Sequence, residues 1–231
     1  MNDDVGEMLT SLKGNQMNTD YKYRPKTLDE FIFATTTLKN VIDSYADGEN
    51  MRPLILHGPH GTGKSLLSEL IPKSIDGPEV SVQRLTVDDL KTRKSIHDNL
   101  TRSLQFDSLF PTGDQSLYYT VFDECKFDSK VLNDAVRIAM DRMQGRCLYI
   151  FVTNELSKID SGVVSRSTSV HVPPLNPEDF LPKALKILQS EGIDAPADVI
   201  LDALVATHKV CKDHRRYYET LDRIIYRANR L

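Results

Sequence analysis

Eight consecutive residues, Gly58-Pro59-His60-Gly61-Thr62-Gly63-Lys64-Ser65, fit the pattern G-x-x-x-x-G-K-[ST]. Each residue type there has a job in holding phosphate. The glycines let the backbone turn so that its N–H groups point inward at phosphate oxygens, and a helix beginning at that point favours anions through its dipole. Lys64 would reach the β- and γ-phosphates, and Ser65 would hold Mg²⁺. Leu54-Ile55-Leu56 reads as a buried strand before the loop, and Leu66, Leu67, Leu70 and Ile71 open a helix after it. That strand–loop–helix setting separates the motif from a chance glycine-rich turn. The eight loop residues and Leu66 are therefore the expected nucleotide-binding segment, with His60 at a variable position.

A phosphate loop alone says little about purpose, and other residues sharpen the reading. Leu117–Glu124 is an apolar strand that ends in paired carboxylates. Asp123 can order the Mg²⁺ shell, and Glu124 can polarise an attacking water. An isolated Asp-Glu pair is commonly a solvated turn after a strand; the loop upstream favours the catalytic reading, and the second carboxylate favours hydrolysis over binding alone. A further strand ends Ile150-Phe151-Val152-Thr153-Asn154. A polar side chain at the carboxyl end of a central strand sits where open α/β sheets bind ligands, so Asn154 could hold the water, although Asn is also frequent in turns. Arg166, within Val164-Ser165-Arg166-Ser167, offers a planar fork of donors matched to phosphate and could reach a neighbouring subunit's γ-phosphate. Without that context it reads as a surface residue.

The elements that must carry these residues follow from hydrophobic period. Apolar runs suited to buried strands fall at Pro53–His57, Val80–Leu85, Leu117–Phe122, Cys147–Val152 and Ser169–Val172. Between them lie stretches of helical spacing, such as Leu132, Ala135, Val136, Ala139, Met140 and Met143. Strands alternating with helices predict an α/β fold with a five-stranded parallel sheet. Past Pro173-Pro174 the strands stop, and helices are expected near Glu178–Ser190, Ala197–His208 and Asp213–Arg230. The expected organisation is a flexible arm over 1–20, an α/β domain over 21–175 and a three-helix unit over 176–231.

Composition narrows the class. Hydrophobic residues make up 40% and charged residues 27%, which a soluble globular chain of 231 residues shows, so a substantial core needs no staple. Cys125, Cys147 and Cys211 lie far apart with no C-x-x-C pair, which argues against a zinc site and a disulfide framework and suits a reducing cytoplasm. No apolar run approaches the roughly 20 residues of a bilayer span, so no membrane role is expected. The net charge of −4 provides no bulk attraction to nucleic acid, and DNA contact would need a local patch. One such patch is the stripe Arg216, Arg223, Arg227 and Arg230, beside the apolar stripe Tyr217, Leu221, Ile224, Ile225, Ala228 and Leu231; a solvated face is the plainer explanation. Lys91, Arg93, Lys94 and Arg102 form a second, weaker one.

Together these motifs resemble the AAA+ ATPase modules of clamp loaders, from Tyr21 to the C-terminus. Tyr21-Lys22-Tyr23-Arg24-Pro25 followed by Thr27-Leu28-Asp29-Glu30-Phe31 looks like the segment that lies against adenine in that family, which implies nucleotide contacts for Tyr23, Arg24 and Pro25. Ser165-Arg166-Ser167 resembles the Ser-Arg-Cys signature whose arginine acts in trans. Asp213-His214-Arg215-Arg216 is similar to the lid motif whose arginine senses the γ-phosphate, a role that would fall on Arg215. Cys125-Lys126 departs from the usual Ala-Asp, and Phe33 stands where a Gly is usual. The family's third, collar domain has no counterpart before Leu231. The resemblance implies ATP and Mg²⁺ as ligands and a homo- or hetero-oligomer of AAA+ subunits. It also implies DNA and a clamp-like or other protein client as partners, in a cytoplasm that would be the host's for a phage-encoded chain. Two rivals remain at this point: a DNA-bound remodeller or helicase-loader-like ATPase with no clamp, and a nucleotide-gated scaffold with little turnover.

Overall fold

The computed structural model of the protein describes residues 18–86, 88–90, 117–124 and 129–230. Most of the expected arm, the basic run at Lys91–Arg102, Cys125-Lys126 and Leu231 lie outside the described residues. Strands β1 (Leu54–His57), β2 (Gln83–Leu85), β3 (Tyr118–Asp123), β4 (Cys147–Thr153) and β5 (Thr168–His171) form one parallel sheet in the order β2-β3-β4-β1-β5. The helices are α1 (Thr19–Lys22), α2 (Thr36–Ala46), α3 (Lys64–Asp76), α4 (Lys130–Arg142), α5 (Ser161–Val164), α6 (Pro177–Ser190), α7 (Ala197–Val210) and α8 (Arg215–Ala228).

Successive residues of a strand point to opposite faces, and the core divides accordingly. Leu54 and Leu56 of β1, Val121 of β3 and Leu148, Ile150 and Val152 of β4 pack with Leu38 and Ile42 of α2 and Leu67 and Ile71 of α3. The alternate residues Ile55, Phe122, Tyr149 and Phe151 face Leu132, Val136, Ala139 and Met140 of α4. Phe122 stacks on Phe151 with ring centroids 4.7 Å apart. Both faces being covered, β4 is buried along its whole length, and this is why it reads as an unbroken apolar run. Local signals start the helices: the Thr35 hydroxyl accepts the Leu38 N–H at 3.2 Å at the head of α2, and Pro177 opens α6.

The strands fall where the hydrophobic runs predict, with shifted ends. β2 begins at Gln83 instead of Val80; Val80 and Val82 pack against the core without joining the ladder. β3 runs on to Asp123, which pairs with Val152. α8 begins at Arg215, not Asp213. The Asp213 carboxylate accepts the Arg215 N–H at 2.9 Å, and the His214 N–H donates to the Gly61 carbonyl at 3.1 Å, so the backbone there is committed outside the helix.

Helices α6, α7 and α8 surround a separate core of Phe180, Ala184, Ile187, Leu188, Ile200, Leu204, Tyr217, Leu221 and Ile225. Buried Tyr217, Leu221 and Ile225 are the apolar stripe of α8. The chain ahead of α2 contributes to this core as well: Tyr23, Ile32 and Ala34 pack against it. α1 lies on α8, where the buried Thr19 donates its N–H to Asp222 Oδ1 at 3.0 Å. Thr19 and Asp20, at the end of the expected arm, are thus helical and docked.

Candidate nucleotide-binding site

The C-terminal ends of β1, β3, β4 and β5 lie along one edge of the sheet, where His57 pairs with Thr153 and His171 and Asp123 with Val152. In open α/β sheets this edge is where ligands bind. Gly58 leaves β1 with φ +146°, and a Cβ there would stand 2.4 Å from the Val172 carbonyl oxygen, so only glycine fits. Gly61 has φ +68°, and a Cβ would meet the Asp213 carboxylate, which packs directly on the loop. Gly63 in the left-handed region hands the chain to α3 at Lys64.

Lys64 is buried, and its Nζ donates to the carbonyls of Gly58 at 2.8 Å and Pro59 at 2.5 Å. Burial pulls its pKa below the ordinary lysine value, while the carboxylates of Glu124 and Asp123 act in the opposite sense. Ser65 Oγ lies 3.4 Å from Asp123 Oδ1. A hydroxyl and a carboxylate side by side at the head of a phosphate-loop helix are hard oxygen donors of the kind Mg²⁺ takes, so the residues fit that ion. Glu124, immediately after β3, is the one non-glycine residue with positive φ among those described, at +53°. Its N–H donates to the Val152 carbonyl at 3.0 Å. Strain of this kind persists where the surroundings impose it, and it often marks functional positions.

One cleft is lined by His60 to Leu66 of the loop, by Glu124 and Asn154 from the strand ends, by Arg24 and Pro25, and by Arg215. These residues, apart in sequence, come together. Gly58 and Pro59 form the turn beneath the cleft and do not line it; Asp123 touches it through Ser65. Tyr23 is a correction to the adenine-side expectation. It lines a different cleft, and its hydroxyl donates to Glu191 at 2.7 Å because the ring packs against the helical core. Arg24 pairs with Glu69 of α3 at 2.5 Å.

Several further residues line the cleft; Phe31 and His214 belong to segments named from the sequence without a role of their own, and the others carry no sequence signal. Phe31 and Ile32 precede α2, Phe180 and Lys183 come from α6, and His214 and Tyr218 stand at α8. His214 ties the turn before α8 to the chain entering α6: its Nε2 accepts the Leu175 N–H at 2.5 Å, and its ring stacks on Tyr217. Burial lowers its pKa to about 4, a shift that nearby Asp213 resists and His208 reinforces. Arg84 is another residue outside any motif; its Nη1 meets Asp123 Oδ2 at 2.5 Å.

Arg166 stands elsewhere. It precedes β5, with Met51, Pro53, Asp141 and Gly145 around it, at the N-terminal end of the strands. The sheet separates it from the cleft by about 15 Å, at ~3.3 Å per strand residue. Its Nε donates to Asp141 Oδ1 at 2.9 Å and its Nη1 to the Gly162 carbonyl at 3.0 Å. Of the α8 stripe, Arg216 pairs with Glu219 at 2.7 Å and Arg230 lies over the Tyr226 ring. Among the described residues no cluster of His, Cys, Asp and Glu is arranged to hold a metal, and no helix is long and apolar enough to cross a membrane.

No protein-family model matches the chain. It is 24% identical to replication factor C small subunit 1 of Pyrobaculum islandicum, over 78% of this chain and 54% of that one. The replication factor C small subunit of Thermofilum pendens is 26% identical, with 74% and 52% covered. Protein STICHEL-like 2 of Arabidopsis thaliana is 24% identical over 75% of this chain and 22% of its own. The chain therefore spans about half the length of the replication factor C subunits it matches. The Thermotoga maritima RuvB Holliday junction branch migration motor has the same fold, with a TM-score of 0.55 at 18% identity, over 87% of this chain and 72% of that one. Sheet order, phosphate loop and these likenesses support an AAA+ module of the clamp-loader type.

Proposed function

We propose that this chain binds ATP with Mg²⁺ in the cleft and hydrolyses it at a contact between subunits, to drive assembly or remodelling on DNA or a protein client. The observation that carries the reading is the convergence of Lys64, Ser65, Glu124, Asn154 and Arg215 on one cleft, with Arg166 at the far end of the sheet. Loop N–H groups and Lys64 would bind the phosphates, and Arg24 and Pro25 would lie on the base side. Glu124 would take the proton of the attacking water while Asn154 holds that water in line. Ser65 and Asp123 would hold Mg²⁺, which supplies charge neutralisation at the phosphates. Arg215, at the start of α8, would link the state of the nucleotide to the helical unit. Arg166 cannot reach its own cleft, so its part in catalysis would be played in a neighbour's. The helical unit over 176–231 would serve as the lid. Relatives named replication factor C and a structural neighbour named for Holliday junction branch migration support DNA as the place of work. The exposed Arg223 and Arg227 on α8 would offer phosphate contacts.

Two variants test the assignment. Lys64→Ala should lose binding of a fluorescent ATP analogue, because it removes the charge that holds the phosphates. Glu124→Gln should bind the analogue and release phosphate at least about 100-fold more slowly, since it removes only the proton acceptor. Wild-type phosphate release by the Gln variant would refute the role of Glu124.

A further inference from the structure

The carboxylate of Asp123 is shared. Its Oδ1 faces the Ser65 hydroxyl at 3.4 Å, and its Oδ2 meets the Arg84 guanidinium at 2.5 Å. Arg84 sits in β2 with Val121 of β3 as its partner, which brings its side chain alongside Asp123 two residues further on. The guanidinium is fixed on its other side as well: Nη2 donates to Ser68 Oγ at 3.3 Å. Ser68 is fully buried one turn after Ser65, and its own hydroxyl donates to the Ser65 carbonyl at 2.8 Å. A permanent positive charge is thus tied to both the carboxylate and the helix that would hold the metal. Arginine keeps its charge at every relevant pH, and its planar fork loses little freedom when bound twice.

We propose that Arg84 is a positioning residue that stands in for the metal cation at Asp123 and sets how much Mg²⁺ the site requires. The inference rests on the reading of Ser65 and Asp123 as Mg²⁺ ligands. A guanidinium in contact with Asp123 neutralises the carboxylate and repels a second cation approaching the same group. Mg²⁺ alone gains little from such a site. Mg²⁺ arriving with the phosphates adds their negative charge, and the balance turns in its favour. Arg84 therefore ties metal binding to nucleotide binding, and keeps Asp123 aimed at Ser65 between the two states.

The test is the Mg²⁺ concentration that half-saturates binding of a fluorescent ATP analogue, measured for wild type, Arg84→Gln, Arg84→Ala and Arg84→Lys. Loss of the charge in the Gln and Ala variants should lower that concentration by roughly three- to tenfold, up to about 1.4 kcal/mol in binding terms. Arg84→Lys, which keeps the charge, should stay within about twofold of wild type. Affinity for the analogue in EDTA should be the same for all four, a readout that damage to the fold would move. If Arg84→Ala does not fold, the Gln and Lys variants decide the matter. An unchanged or raised Mg²⁺ requirement in the charge-free variants overturns the proposal. Mg²⁺-independent binding by wild type would instead overturn the ligand assignment on which it rests, so the two failures are distinguishable.

Discussion

Glu124 pairs a strained backbone with the proposed role of taking the proton from the attacking water. At φ +53° its Cβ crowds the following carbonyl, a conformation glycine adopts freely. Replacement by glycine should therefore stabilise the fold by about 0.5–1 kcal/mol, the relief of strain less the extra chain entropy of glycine. Glu124→Gln should leave stability unchanged, and both variants should lose turnover. Urea unfolding compares the three proteins; a glycine variant less stable than wild type would mean that Glu124 contributes contacts outweighing its strain. The motif residues were legible from sequence because phosphate binding demands a fixed order of residue types over a few positions, as from Gly58 to Ser65. The strain at Glu124 and the tie from Arg84 were not. Both arise from which strand lies beside which, and the pairing of β2 with β3 leaves no mark on the residues around Arg84.

Elements were legible to the extent that burial imposes a period. β1, β3 and β4 are covered on both faces and show continuous apolar runs, whereas the edge strand β2 is short and its run overshoots the ladder. α8 starts later than its sequence pattern predicts because Asp213 and His214 spend their hydrogen bonds on the turn and on Gly61, a contact across 153 residues of chain. The same junction has a pH signature. His214 is held neutral with its pKa lowered to about 4, while in the unfolded chain it takes up a proton near 6.5. A lowered histidine pKa means that the unfolded state binds the extra proton first. Stability from this group is therefore complete above about pH 6.5 and lost as the pH falls toward 4. The loss is on the order of 3 kcal/mol, at ~1.4 kcal/mol per pH unit. His214→Gln keeps an acceptor for the Leu175 N–H and removes the titration. Urea unfolding at pH 7 and pH 4.5 should show a smaller acid loss for this variant than for wild type. Equal losses would place the acid sensitivity elsewhere.

At the scale of the whole molecule, the account turns on the distance between Arg166 and the cleft. The arginine is held by Asp141 at the N-terminal end of the sheet, and the phosphate loop closes the other end. On the proposed reading, a side chain so placed would complete another copy's site. Subunits repeating head to tail would put each arginine against the next cleft, the heterologous contact from which rings and spirals are built. Such an arginine is worth roughly 10³–10⁵ in rate. The most direct test is phosphate release by a mixture of Arg166→Ala and Lys64→Ala proteins, with mixed assembly verified by light scattering. Each variant alone should be inactive. In an equimolar mixture about a quarter of the contacts would join an intact arginine to an intact loop, if subunits combine at random. The account predicts that activity returns on mixing, up to that fraction of the wild-type rate. Mixed assemblies that form and release no phosphate at any ratio would contradict a cleft shared between subunits.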